Sequence, residues 1–253
     1  MIRSYRLPLI APMIAVAALA IPTAACSFSR SSDEGDAVPA QGSGNVRTFA
    51  ARDFTGVDLR GSDPVEVRVG GGYSVRAEGP SDTLDQLQIA RDGATLRIGR
   101  KKGTHWGWSK GKGVRILVTL PRLADAGVSG SGRMTIDRVE GPRFHGGIAG
   151  SGDMVIGAMR VGQADMGIAG SGSITATGTA GSLKVSVAGS GDFRGPGLRT
   201  RQANVSIAGS GNVAARVEGA ASVSLMGSGS ADLGPQSTCT VSKMGSGSAR
   251  CGR

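Results

Sequence analysis

The sequence predicts an all-β parallel β-solenoid, and three observations lead there. Gly-Ser-Gly stands at 130–132, 150–152, 170–172, 189–191, 209–211, 227–229 and 245–247, at intervals of 20, 20, 19, 20, 18 and 18 residues. Apolar residues alternate with small or polar ones on both sides of each triplet. The same residue type also returns to the same column from copy to copy. A period near twenty marks one supersecondary unit stacked repeatedly. Alternation with a period of two belongs to strands rather than helices. A meander or sandwich could also place bends twenty residues apart, but it would not require matching columns. Stacked coils do, because each side chain rests on its equivalent in the next turn.

At the N-terminus, Arg3 and Arg6 precede an uncharged stretch over 7–29 that contains Ala24-Ala25-Cys26. This is the layout of an export signal, placed at 1–25. Small residues before a lone cysteine resemble a lipobox, in which Cys26 carries lipid and becomes the new N-terminus. Ordinary cleavage after Ala25 is the alternative, since Pro22 and Thr23 are atypical of a lipobox. Pro8, Pro12 and Pro22 count against an uncleaved spanning helix. Ser27 after the cysteine is similar to Gram-negative lipoproteins destined for the outer membrane. Residues 26–45 read as a flexible polar tether, too poor in apolar side chains to fold.

A single domain is expected over 46–253, with a less regular β portion at 46–126. That portion opens with a degenerate coil. Val57, Leu59, Gly61-Ser62-Asp63, Val65 and Val67 fit the columns of the later copies, with Asp63 in place of the second glycine. Between this coil and the first full copy lies an insertion of alternating strands. Val114, Ile116, Val118 and Leu120 form its clearest run, closed by Pro121. Residues 81–86 suit a single helical turn.

The formal charge is +10, and the excess concentrates at 97–115. This stretch holds seven basic residues, no acidic ones and both tryptophans. Arg100, Lys101, Lys102, His105, Trp106, Trp108, Lys110 and Lys112 make it a candidate binding loop for anionic glycans, lipopolysaccharide phosphates or lipid headgroups. The simpler reading is a solvated loop that caps the N-terminal end of the solenoid. The two roles are compatible. Nucleic acid is not an expected partner for an exported chain.

Regular coils of 18–20 residues are expected over 127–253. Two positions before each triplet stand Val128, Ile148, Ile168, Val187, Ile207, Leu225 and Lys243. Four before stand Ala126, Gly146, Met166, Val185, Val205, Val223 and Val241. The position three before is Gly or Ser throughout. Glycine suits the bend because it alone enters positive φ without a Cβ clash. In the last coil, Cys239 and Cys251 both fall on inward columns. A disulfide between them is favoured over two buried thiols in an oxidising compartment. Closing that loop would contribute about 2–3 kcal/mol. Lys243 interrupts its apolar column there, as a solenoid end requires.

Chemistry is sparse. Asp153 and Asp192 follow the bend in one column, two coils apart, and the likeness to a paired-carboxylate site ends there. Arg133, Ser173 and Asn212 share the column, which reads as a solvent-facing polar ladder. Calcium-binding nonapeptide repeats have half this period. With only His105 and His145, neither a zinc constellation nor a Ser-His-Asp relay assembles. His145, beside inward Phe144, is expected at the surface. No phosphate-cradling loop opens a helix. No catalytic residue, metal or cofactor is expected.

The unit Ile/Val-Ala-Gly-Ser-Gly-Asp/Asn recurs at 148–153, 187–192 and 207–212. With Phe54-Thr55-Gly56-Val57, and with 114–121 leading into Val128-Ser129-Gly130-Ser131-Gly132, it resembles the bacterial GIN domain family (DUF2807), the auto-transporter adhesin head. The resemblance spans about 46–253. It implies a right-handed, pectin-lyase-like parallel β-helix without recognised catalytic residues and a role in cell-surface adhesion or interaction. The expected function is therefore a non-enzymatic binding or scaffold protein of the cell envelope. It would be anchored to the outer membrane by its N-terminal lipid and would meet envelope glycans, lipopolysaccharide or surface proteins. A carbohydrate-active enzyme on the same scaffold and a passive envelope component are the alternatives.

Overall fold

The computed structural model describes residues 35–101 and 113–252. It is nearly all β and forms a β-solenoid of about six turns, the number that seven successive bends enclose. Four long segments, Arg133–Gly150, Asp153–Gly170, Ser173–Gly189 and Asp192–Gly209, stack in parallel. The sequence columns become hydrogen-bonded rungs. Leu59, Val128, Ile148, Ile168, Val187, Ile207, Leu225 and Lys243 lie in direct register. The degenerate coil takes its expected place, with Val57 beside Ala126 and Val65 beside Met134.

The bend is built from backbone. The first glycines of the seven triplets have φ between +119° and +130°. A Cβ at Gly150 would stand 2.5 Å from the Gly130 carbonyl oxygen, and one at Gly152 2.5 Å from that of Gly132. The close approach is productive: Gly130 O accepts the N–H groups of Ser151 and Gly152, both at 2.9 Å. Both glycines of the triplet are therefore steric requirements, while the serine between them points outward.

Inward columns fill one continuous core, with Phe54, Phe144, Phe193 and Met134 among its fully buried side chains. Two columns are broken by glycine for a reason the core supplies. A Cβ on Gly146 would meet Met166 Sδ at 2.9 Å and Phe144 Cε1 at 3.2 Å; one on Gly195 would meet Phe193 Cε1 at 2.8 Å. Each phenylalanine occupies the space that its neighbour two residues on gives up. Differences in coil length are absorbed at an outer corner, where the register shifts between Ile156 and Met159, Thr175 and Thr177, and Gly195 and Arg199.

The N-terminal insertion extends two faces of the stack. On one, Gly56–Gly61 pairs with Thr95–Arg100, which pairs antiparallel with Leu87–Asp92. On the other, Val65–Val69 pairs with Arg115–Leu120, followed antiparallel by Ser74–Glu78 and Val46–Phe49. Ser81–Leu84 forms the expected helical turn. Within the span 26–45 expected as a tether, the described residues from 35 onward are partly paired with the domain. Asp36–Ala37 pairs with Leu87–Asp92, Ala40–Gln41 pairs with Val46–Phe49, and Val38 donates to Ile89 O at 2.8 Å. The open edges of those two strands accept backbone pairing that needs no apolar side chain.

In the last coil Cys239 and Cys251 form a disulfide, with Cα atoms 6.1 Å apart, and Cys239 packs against the core. Among the described residues no helix is long and apolar enough to cross a membrane.

Gly150→Ala is expected to lower unfolding stability by about 2–4 kcal/mol, through a strained φ and a backbone clash. Gly147→Ala, whose Cβ meets nothing within 4 Å, should stay within about 0.5 kcal/mol of the parent. Urea denaturation of the two variants checks the contrast.

Candidate functional site

On the face that precedes each bend, the outward positions carry almost no side chain. One column runs Gly127, Gly147, Gly167, Ser186 and Ser206; its neighbour runs Ser129, Ala149, Ala169, Ala188 and Ala208. Together they floor an open groove of about 710 Å³. It crosses six rungs from Val57 to Ser206, roughly 24 Å at the spacing of paired strands.

The groove's N-terminal end is polar. Asp58, Thr95, Arg97, Asp125 and His145 line it. Asp58 accepts from Arg60 Nε at 3.0 Å, and a Cβ on Gly127 would come 2.7 Å from Asp58 Oδ1. Glycine at 127 thus lets the carboxylate lie over the floor. His145 is exposed, as expected, in register between Asp125 and Asp165, and Lys184 Nζ lies 3.7 Å from Asp165. The site offers a long, shallow, sterically open floor with charges of both signs gathered at one end. Such a surface suits an extended ligand laid along the stack. Among the described residues no group of three His, Cys, Asp or Glu is placed to hold a metal ion.

The column after the bend forms the polar ladder that the sequence suggested. Asp153 accepts from Ser173 Oγ at 2.7 Å and from an Arg133 guanidinium nitrogen at 2.9 Å. Asp192 accepts from Asn212 Nδ2 at 2.9 Å and from Arg194 at 2.8 Å, and Ser230 donates to Asn212 Oδ1 at 2.7 Å. The Ser173 hydroxyl, then Arg133, holds the Asp153 carboxyl below the usual aspartate range. For Asp192, partial burial pushes upward, but Asn212 and Arg194 outweigh it and the carboxyl again lies low. Two carboxylates kept ionised by neighbours on the adjacent rung and, for Asp192, on its own strand are poorly suited to proton transfer near neutral pH.

The basic segment is described only at its edges. Arg100, a member of the candidate binding loop, grips Asp63 of the degenerate bend. Its Nε donates to Oδ2 at 3.0 Å and a terminal nitrogen to Oδ1 at 2.6 Å, with Gln86 Oε1 at 3.3 Å. Lys101 Nζ donates to Asp85 O at 2.7 Å. Lys102, His105, Trp106, Trp108, Lys110 and Lys112, like Cys26, lie outside the described residues.

The groove floor and the Asp63–Arg100 pair lie beyond the sequence-based expectations. The signal for the first is present in the outward columns, small in every full copy that lines the groove. The signal for the second is Asp63 itself, a charge standing where every later copy has glycine.

A family model described as "Putative auto-transporter adhesin, head GIN domain" (DUF2807) matches residues 53–234. A comparison with curated protein sequences found no match. Among solved structures, a putative adhesin from Bacteroides fragilis superposes with a TM-score of 0.73 at 20% identity, covering 81% of this chain and 95% of its own. A putative lipid binding protein from Parabacteroides distasonis gives 0.66 at 20% identity, covering 85% and 98%. A putative adhesin from Parabacteroides merdae gives 0.66 at 14% identity, covering 82% and 95%. At these identities the likeness is one of fold.

Because both carboxyls are lowered, the unfolded chain binds protons that the folded chain refuses. Their stabilisation is complete above the ordinary aspartate pKa and is lost as pH falls through the folded values. The urea midpoint of an Asp153→Asn, Asp192→Asn double variant should therefore fall less steeply than the parent's below about pH 4. Parallel curves would contradict the ladder's contribution.

Proposed function

Since the chain belongs to the GIN domain family of auto-transporter adhesin heads, we propose that it is a non-enzymatic binding protein of the cell envelope. The observation that carries this reading is the groove, whose Gly, Ala and Ser floor gives an extended ligand continuous contact over five rungs. A rigid floor costs little ordering on binding, so many weak contacts sum effectively. The polar end sets the ligand's direction, with exposed His145 beside Arg97, whose guanidinium is already paired with Asp92. Lys101, Lys102, His105, Trp106, Trp108, Lys110 and Lys112 add a basic, aromatic segment to the same end of the sequence order. The ligand class is an anionic envelope glycan, including the phosphorylated sugars of lipopolysaccharide. The names of the solved relatives, adhesin and lipid binding protein, agree with surface or lipid interaction.

Engagement of Asp153 and Asp192 in the polar ladder supports a non-enzymatic role over carbohydrate cleavage. The Cys239–Cys251 disulfide supports export to an oxidising compartment. Cys26 is the proposed lipid anchor at the outer membrane.

Purified protein should be retained on an immobilised anionic polysaccharide in a salt-sensitive manner. Changing Lys101, Lys102 and Lys110 to Ala should weaken retention about tenfold, as should Ala169→Trp, which obstructs the floor. Unchanged retention in both variants would defeat the site, and chain cleavage dependent on Asp153 or Asp192 would defeat the non-enzymatic reading. In cells, labelling with radioactive palmitate should disappear in Cys26→Ser; persistence of the label would remove the anchor.

A further inference from the structure

The two ends of the solenoid differ. The N-terminal end is closed by antiparallel strands. At the C-terminal end, Thr238–Met244 pairs with Ala220–Gly227 on one side, and among the described residues no strand lies on the other. Thr238 N donates to Gly219 O at 2.9 Å. In this parallel register Thr238, Thr240 and Ser242 spend their backbone groups on the preceding rung. Cys239, Val241 and Lys243 therefore direct their N–H and C=O groups out of the end.

Apolar exposure gathers at the same place. The exposed large hydrophobic residues among those described are Met226 at 60%, Val241 at 44% and Met244 at 71%. All three lie on the last two rungs of one face. The edge is also held rigid. The Cys239–Cys251 disulfide, the Leu233 N–H bonded to Arg250 O at 2.9 Å and the Gly252 N–H bonded to Ser237 Oγ at 3.3 Å fasten the last coil to itself. An open, rigid, partly apolar strand edge is a template for another strand.

We propose that Thr238–Met244 pairs antiparallel with the same strand of a second copy, about a two-fold axis at Val241, to give an end-to-end dimer. Self-complementarity selects this occupant. In an antiparallel pair, residues that face the partner exchange both hydrogen bonds. With Val241 opposite the partner's Val241, Cys239 falls opposite the partner's Lys243 and Lys243 opposite the partner's Cys239. Every outward N–H and C=O of these three residues is then satisfied at one register. A slip of one residue would set these groups against ones already used within each copy.

The side chains agree. The two Val241 side chains continue the apolar core across the joint, and the two lysines fall four residues apart, roughly 13 Å, where salt screens them. A head-to-tail filament does not fit. The outermost N-terminal segments, Asp36–Ala37 and Ala40–Gln41, are two residues each, too short to match a seven-residue edge. The interface is therefore closed and isologous.

Sedimentation velocity on the purified full chain, over a range up to about 100 µM, should show a monomer–dimer equilibrium. Val241→Lys and Val241→Glu each place like charges against one another at the two-fold axis. Each should weaken self-association at least about tenfold, whereas an equimolar mixture of the two should recover a heterodimer. Val241→Pro removes only an outward N–H that the intrachain ladder does not use, and should also yield monomer. A monomeric parent protein overturns the proposal. So does a dimer indifferent to Val241→Lys, or failure of the mixture to re-form one. Glycan retention is read on the rungs from Val57 to Ser206 of the same face, two rungs short of the joint, so Ala169→Trp should weaken retention without altering sedimentation, and Val241→Lys the reverse.

Discussion

At each bend the carbonyl oxygen of one triplet's first glycine accepts N–H groups from the next triplet, and the spacing of the whole stack follows from that contact. Gly130 O receives Ser151 and Gly152; Gly150 O receives Ser171 and Gly172; Gly209 O receives Ser228 and Gly229. A Cβ at either glycine would enter the space these bonds occupy. With the bend fixed, the strands on both sides are held in register, because a slip at one rung would have to be repeated at every other. The inward columns then stack like on like, and the core becomes a continuous line of Val, Ile, Met and Phe. The repeat is thus enforced by backbone geometry first and by apolar burial second.

This order explains why the surface is so uniform. A side chain on an outward column has its own equivalent about 4.8 Å above and below, so a ladder tolerates polar groups only in complementary sequence. Arg133, Asp153 and Ser173 alternate donor and acceptor, as do Asp192, Asn212 and Ser230, with Arg194 reaching Asp192 from two residues along its own strand. The lowered carboxyl groups follow from this mutual satisfaction. Where no such alternation is provided, the columns shrink to Gly, Ser and Ala, and the groove is the result.

The rungs were legible because stacking forces each column to repeat. Leu59, Val128 and Ile148 could be aligned from the sequence, and they sit side by side. Even the exceptions at Gly146 and Gly195 carried a signal, since Phe144 and Phe193 stand two positions before them. Features outside the repeat had no column to betray them. The pairing of Asp36–Ala37 and Ala40–Gln41 depends on backbone edges, to which composition is blind. The partnership of Arg100 with Asp63 joins residues 37 apart across strands whose order the sequence does not reveal. The groove escaped for a different reason. Small outward residues look like an absence of information until the strands are known to lie side by side.

The insertion near the N-terminus closes the core and also gives the groove its character. Repeating coils alone would make a floor with no distinguished end. Asp58 belongs to the degenerate coil, and Thr95 and Arg97 belong to a strand of the insertion. That strand ends at Arg100, whose fork-shaped grip on Asp63 ties it to the first bend. Asp63 is buried and its partner only part-exposed, so removing either charge would leave the other poorly solvated. Glycine at position 63 would complete the repeat and remove the side-chain anchor at the end of the strand that carries Thr95 and Arg97, leaving it to its backbone pairing. The departure from the repeat at this one residue therefore couples the capping of the solenoid to the placement of the groove's polar end.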